Sequence, residues 1–255
     1  MALRSPSPSA AALGRAVTSS GRPFEVGGAV LLLPDGPPAS LRRPGALSHA
    51  AQLPLARSLA RSCRDEGLVT HVVRYRHRGW NDDAADPAAD AHWAADEIVR
   101  RYGDVPVCLA GHGMGGRAAL RGAGHPAVTS VLAMSPWLPD RRGPESEAEP
   151  VKQLAGRRVL IVHGTDDAHT DPELSYALAA RAKKANRDTC RFEVHSDGHA
   201  LRQHRDEVEA LAADFVRGSL FARPYARPLT DALAAPPPLG LRMPLAAGFG
   251  RSLRH

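Results

Sequence analysis

Six short apolar runs, with helical periods fitted between them, constrain this chain more than any other feature. They lie at 28–33 (Gly-Ala-Val-Leu-Leu-Leu), 69–74, 106–110, 129–134, 158–163 and 190–195. Each is mostly apolar without alternation, as strands buried on both faces are. Leu55, Leu59 and Cys63 fall four apart, as do Ala94, Ile98 and Tyr102. Leu201, Val208, Leu211 and Phe215 share a face of what reads as a last helix opened by His199. Alternating strands and helices predict an α/β fold: right-handed crossovers and a mostly parallel sheet flanked by helices on both faces. Chemistry on such a sheet gathers at the carboxyl ends of its strands.

The 255 residues suffice for one sizeable core. That core is expected over 23–221. Residues 1–22 and 222–255 are expected to be disordered tails, because neither can bury enough apolar surface to offset the entropy of ordering. The alternative for the second tail is loose packing through Leu241, Met243 and Leu245. Arg4, Arg15 and Arg22 make the first tail +3; five arginines against Asp231 make residues 222–255 +4. The total is +6, so the body carries about −1, and a nucleic-acid partner is not expected. Nor is a membrane partner, since no run approaches the roughly 18 apolar residues of a span. Cys63, Cys108 and Cys190 are too scattered for a disulfide scaffold or a four-cysteine zinc site, so the expected compartment is the cytoplasm. Cys108, inside a strand, reads as core.

The third run is followed by Gly111-His112-Gly113-Met114-Gly115-Gly116 and then a helix-forming stretch. This has the layout of a nucleophile elbow, Gly-x-Ser-x-Gly, with Gly113 at the serine position. Gly111-x-Gly113-x-x-Gly116 also matches a dinucleotide-binding turn loosely. The acid such a turn needs about twenty residues on is missing, Asp140 being too far. No cofactor is therefore expected. The fifth run is followed by Gly164-Thr165-Asp166-Asp167 and the sixth by Ser196-Asp197-Gly198-His199. Elbow, then acid, then histidine is the order of a catalytic triad on this kind of sheet. His195, His199 and His204 cross a strand-to-helix break and do not share a face, so no metal site is expected.

On the elbow, on His163-Gly164-x-x-Asp167, on Gly198-His199 and on strand order, residues 27–217 resemble the α/β-hydrolase family. The likeness is to small bacterial esterase- or lipase-like members whose elbow reads Gly-His-Ser-Met-Gly-Gly. The resemblance implies Asp167, rather than Asp166, as triad acid and His199 as base, with Met114 and Pro37 at the oxyanion hole. His112 and Trp137 would line the substrate site, though Trp137 reads equally as a sheet-edge cap. It also implies a small-molecule substrate or ligand; the oligomeric state is not readable. Two departures bear on activity. Gly113 has no Oγ, and losing a triad serine costs on the order of 10⁶ in kcat. Pro37 has no N–H to donate. The expectation is a protein of serine-esterase type, acting on small ester-like substrates, that has lost acyl-enzyme chemistry and retains at most a His–Asp dyad. The alternative is a non-catalytic binding protein. Only about twenty residues separate the fourth and fifth runs, too few for a helical lid. The charged segment Arg74–Trp80 reads as a solvated loop or an anion-facing rim.

Overall fold

The computed structural model describes residues 10–19, 25–139 and 148–250. In chain order its elements are β1 (Ala12–Leu13), β2 (Gly28–Leu33), α1 (Ala46–Ala50), α2 (Leu53–Ser62), β3 (Leu68–Arg74), α3 (Asp86–Tyr102), β4 (Val107–His112) and α4 (Met114–Gly122). There follow β5 (Val128–Met134), β6 (Arg158–Gly164), α5 (Pro172–Ala185), β7 (Thr189–Val194), α6 (Arg205–Phe221), α7 (Arg227–Ala234) and β8 (Met243–Pro244). The strands form one eight-stranded sheet in the order β1-β3-β2-β4-β5-β6-β7-β8. Every pairing is parallel except that of β1 with β3.

Each of the six runs is a strand, and the pleat explains why most of them do not alternate; β7 does, with Cys190, Phe192 and Val194 in one core and buried Arg191 between them. Along β2, Ala29, Leu31 and Leu33 face one apolar core while Val30 and Leu32 face the other. The first core is closed by α3, α4 and α5 through Ile98, Leu120 and Leu178; the second by α2, α6 and α7 through Leu59, Phe215 and Leu229. Helices thus cover both faces. Cys63, Cys108 and Cys190 are free and buried, and burial pushes each thiol up to about 12.

The C-terminal segment is not the free tail expected of it. Over its described portion, 222–250, it adds α7 to the second core and β8 to the edge of β7. The reason is polar as well as apolar. Buried Arg191 donates to the Leu241 carbonyl (3.0 Å) and to Glu193 (2.8 Å), and Lys183 donates to the Leu233 carbonyl (2.9 Å). Of the expected N-terminal tail, residues 10–19 are described: Gly14 and Val17 donate to carbonyls of β3. Residues 1–9, 20–24 and 251–255 lie outside the description. So do 140–147, within the segment expected to be too short for a lid; the described remainder of that segment carries a single 3-10 turn at Lys152–Leu154. After β3, Arg76 pairs with Asp90 (2.6 Å) and His77 with Asp86 (2.9 Å), which ties the charged segment to α3. No helix among the described residues is long and apolar enough to cross a membrane.

Candidate active site

The carboxyl ends of β2, β4, β6 and β7 bring four loops together. Gly113 stands alone between β4 and α4 at φ 56°, ψ −121°, a region side-chain-bearing residues enter only under strain. The turn is closed by contact: a Cβ on Gly111 would strike the Gly115 carbonyl, and one on Gly115 the Leu33 carbonyl. The space above Gly113 is taken. A Cβ there would collide with the carboxylate of Asp35, which reaches over from the loop after β2.

Asp35 Oδ1 accepts the main-chain N–H groups of Met114 and of Gly36, each at 2.8 Å. Burial works against its charge, but His199, these two N–H groups and His112 outweigh it and hold the carboxyl below its usual range. The donor paired with Met114 is therefore Gly36, one residue before the expected Pro37. The Pro37 carbonyl is occupied with the Trp80 N–H (3.1 Å).

Asp167, three residues beyond β6, is fully buried at its side chain. Its Oδ1 accepts from the N–H groups of His169 (2.8 Å) and Thr170 (3.0 Å). Its Oδ2 accepts from the Thr170 hydroxyl (2.6 Å) and lies 3.2 Å from His163 Nε2. Burial opposes the charge, yet His163, Thr170 and His199 together keep this carboxyl far below the carboxylate range. The Asp166 carboxylate accepts from the Thr165 hydroxyl (3.1 Å). Of the two acids, only Asp167 reaches His199.

His199 Nδ1 donates to Asp167 Oδ2 at 2.8 Å, and its Nε2 stands 3.7 Å from Asp35 Oδ2, longer than a hydrogen bond. Burial pulls the imidazole down, but the two carboxylates prevail and its pKa is raised. His199 does not open a helix. It sits in a turn, and α6 starts only at Arg205. Buried Asp197 causes this, because its carboxylate takes the N–H groups of Gly198 (2.9 Å), Arg202 (3.1 Å) and His204 (3.0 Å) and wraps the turn around itself.

His112 donates from Nε2 to the His199 carbonyl (2.7 Å), with the two rings 4.5 Å apart edge to face. His169 stacks on His199 at 5.3 Å. A cavity of about 230 Å³ opens beside His112, lined also by Leu55, Met134, Leu201 and Val208. The main-chain N–H of Trp137 donates to the Gly113 carbonyl (2.9 Å), while its ring is covered by Arg117 at 4.9 Å and meets Trp80 edge-on. Among His, Cys, Asp and Glu, the described donors that converge as a metal could use them are Asp35, His112 and His199, within 4.8 Å of one another.

No protein-family model and no curated protein matches the sequence. Solved structures do. An esterase from Pyrococcus furiosus is 14% identical, with a TM-score of 0.60 over 76% of this chain and 83% of that one. A lidless α/β serine hydrolase from Xanthomonas campestris is 18% identical, with a TM-score of 0.57 over 86% and 98%. A thermophilic esterase from the planctomycete Thermogutta terrifontis, with propionate bound, is 18% identical, with a TM-score of 0.60 over 82% and 89%. The chain has the α/β-hydrolase fold.

Within the α/β-hydrolase fold, Gly113, Met114, Asp167, His199 and His112 converge, whereas the Trp137 ring packs on Arg117 and Trp80 and Gly36, not Pro37, presents the N–H beside that of Met114. Sequence reasoning gave no site role to Asp35, Thr170 or His169, nor to His163, which it names only within the motif that carries the resemblance. Asp35 stands in the text Pro34-Asp35-Gly36-Pro37, but only the path of that loop over the elbow reveals what it reaches.

Proposed function

We propose that this chain hydrolyses small carboxylic-ester-like substrates by activating water directly, with no acyl-enzyme. The observation that supports this most is His199, whose Nδ1–H is held by Asp167 at 2.8 Å while Nε2 stands 3.7 Å from the Asp35 carboxylate that lies over Gly113. A water at Nε2 gives its proton to the imidazole as it attacks the ester carbonyl, and that proton passes on to the departing alkoxide. Asp167 stabilises the imidazolium in between. Gly113 supplies no nucleophile. The 230 Å³ cavity beside His112 suits a short acyl or alkyl group, and the solved neighbours described as esterases support the substrate class.

One observation favours a second reading, ligand binding without turnover. Asp35 holds both N–H groups on which an ester's developing oxyanion would rely. Hydrolysis of p-nitrophenyl acetate and butyrate, measured in the presence of a chelator, separates the two. The first reading expects a rate above buffer that falls roughly 10²-fold or more in His199→Ala, in line with general-base contributions, and that also drops in Asp167→Asn. Equal rates for the wild type and His199→Ala leave the binding reading standing.

A further inference from the structure

Asp35, His112 and His199 each present one ligand atom, and the three atoms lie within 4.8 Å of one another. Such spacing alone is common; the second contact of each side chain makes this group unusual. His199 spends its Nδ1–H on Asp167 (2.8 Å), so the Nε2 lone pair is the one turned inward. His112 spends its Nε2–H on the His199 carbonyl (2.7 Å), which leaves its Nδ1 lone pair. Asp35 anchors Oδ1 on two main-chain N–H groups at 2.8 Å, and its Oδ2 faces His199 Nε2 at 3.7 Å. A histidine tied by one nitrogen to a carboxylate or main-chain carbonyl, beside a carboxylate fixed by its other oxygen, is how proteins orient ligands around an ion.

We propose that Asp35, His112 and His199 bind one divalent transition-metal ion, with zinc the best fit to two imidazoles and a carboxylate. Bonds of about 2.0–2.1 Å place tetrahedral ligands roughly 3.3–3.4 Å apart. The Asp35–His199 separation of 3.7 Å is already close to that. The three atoms, within 4.8 Å of one another, would close by up to about 1.5 Å on an ion held at such bond lengths. Three protein ligands leave a position for water, and an ion of this kind makes bound water a nucleophile near neutral pH. Binding itself is inferred from side-chain geometry and does not depend on the hydrolytic reading.

The test uses the untagged full chain, freed of metal by chelation and dialysis. Zn²⁺ is titrated by calorimetry, and Co²⁺ is followed by its visible absorption. The expected result is one equivalent bound, with intense Co²⁺ bands of low coordination number. Asp35→Ala and His112→Gln, which keeps a donor for the His199 carbonyl, should each weaken binding by at least about tenfold, the lower range for losing even an outer partner of a ligand. His204→Ala, outside the trio, should bind as the wild type does. If His112→Gln fails to fold by circular dichroism, Asp35→Ala decides alone. The proposal is overturned by no binding, by unchanged affinity in Asp35→Ala, or by loss in His204→Ala. Because the ester assay runs in chelator and this one reads binding alone, either can fail without the other.

Discussion

At the scale of single residues, Gly113 and Asp35 are one steric unit. The elbow glycine leaves a gap and the carboxylate fills it; restoring a side chain at 113 drives the two atoms together. Gly113→Ser alone is therefore expected to lose stability, by about 1–3 kcal/mol for the strained backbone. It should react poorly with a fluorophosphonate probe, since Asp35 holds both the space and the N–H donors. Gly113→Ser/Asp35→Ala clears both obstacles and should label at Ser in proportion to probe, read by intact mass. A double variant that stays unlabelled would mean that His199 or the paired N–H groups cannot support a serine. Sequence makes half of this unit visible. The missing Oγ is legible at once, because an elbow is a local pattern. The carboxylate that replaces it is not, because Gly113 lies 78 positions beyond Asp35 and only the crossing of two loops joins them.

At the scale of elements, the strands are readable because burial on both faces leaves an apolar run that no surface element shares. The start of α6 is not. Leu201 and Val208 fit a helical period, yet Leu201 adopts φ 48° and the turn through His204 is held by the Asp197 carboxylate. A side chain folding its own downstream backbone competes with helix formation, and the apolar pattern carries no trace of it. Asp197→Ala leaves three main-chain N–H groups without their acceptor. The expected loss is roughly 1–3 kcal/mol by urea unfolding, in the range for a buried partner removed from its hydrogen bonds. The His199-dependent esterase rate should fall as well, because the same turn sets where His199 stands. An unchanged urea midpoint would show that water serves these N–H groups equally well.

At the scale of the whole molecule, residues 222–250 belong to the body. Proline and arginine suggest otherwise, since composition registers a shortage of apolar surface but not the carbonyls that Arg191 and Lys183 reach for. Ending the chain at residue 221 would uncover the second core where Leu229 and Leu245 now lie buried, and the first at Leu241. At about 1.5–3 kcal/mol for each such side chain, the loss is several kcal/mol. The bare edge of β7 would also be open to a second copy. A lower melting temperature and concentration-dependent light scattering are the expected outcome; a truncated chain as stable as the whole would count against this packing. The strand order bears on synthesis too. After β2, β3 joins one of its sides and β4 the other, and β5, β6, β7 and β8 then add outward in the order in which they are translated. No later strand has to force its way between neighbours that are already paired. A chain emerging from the ribosome can therefore keep what it has built while the rest is still being made.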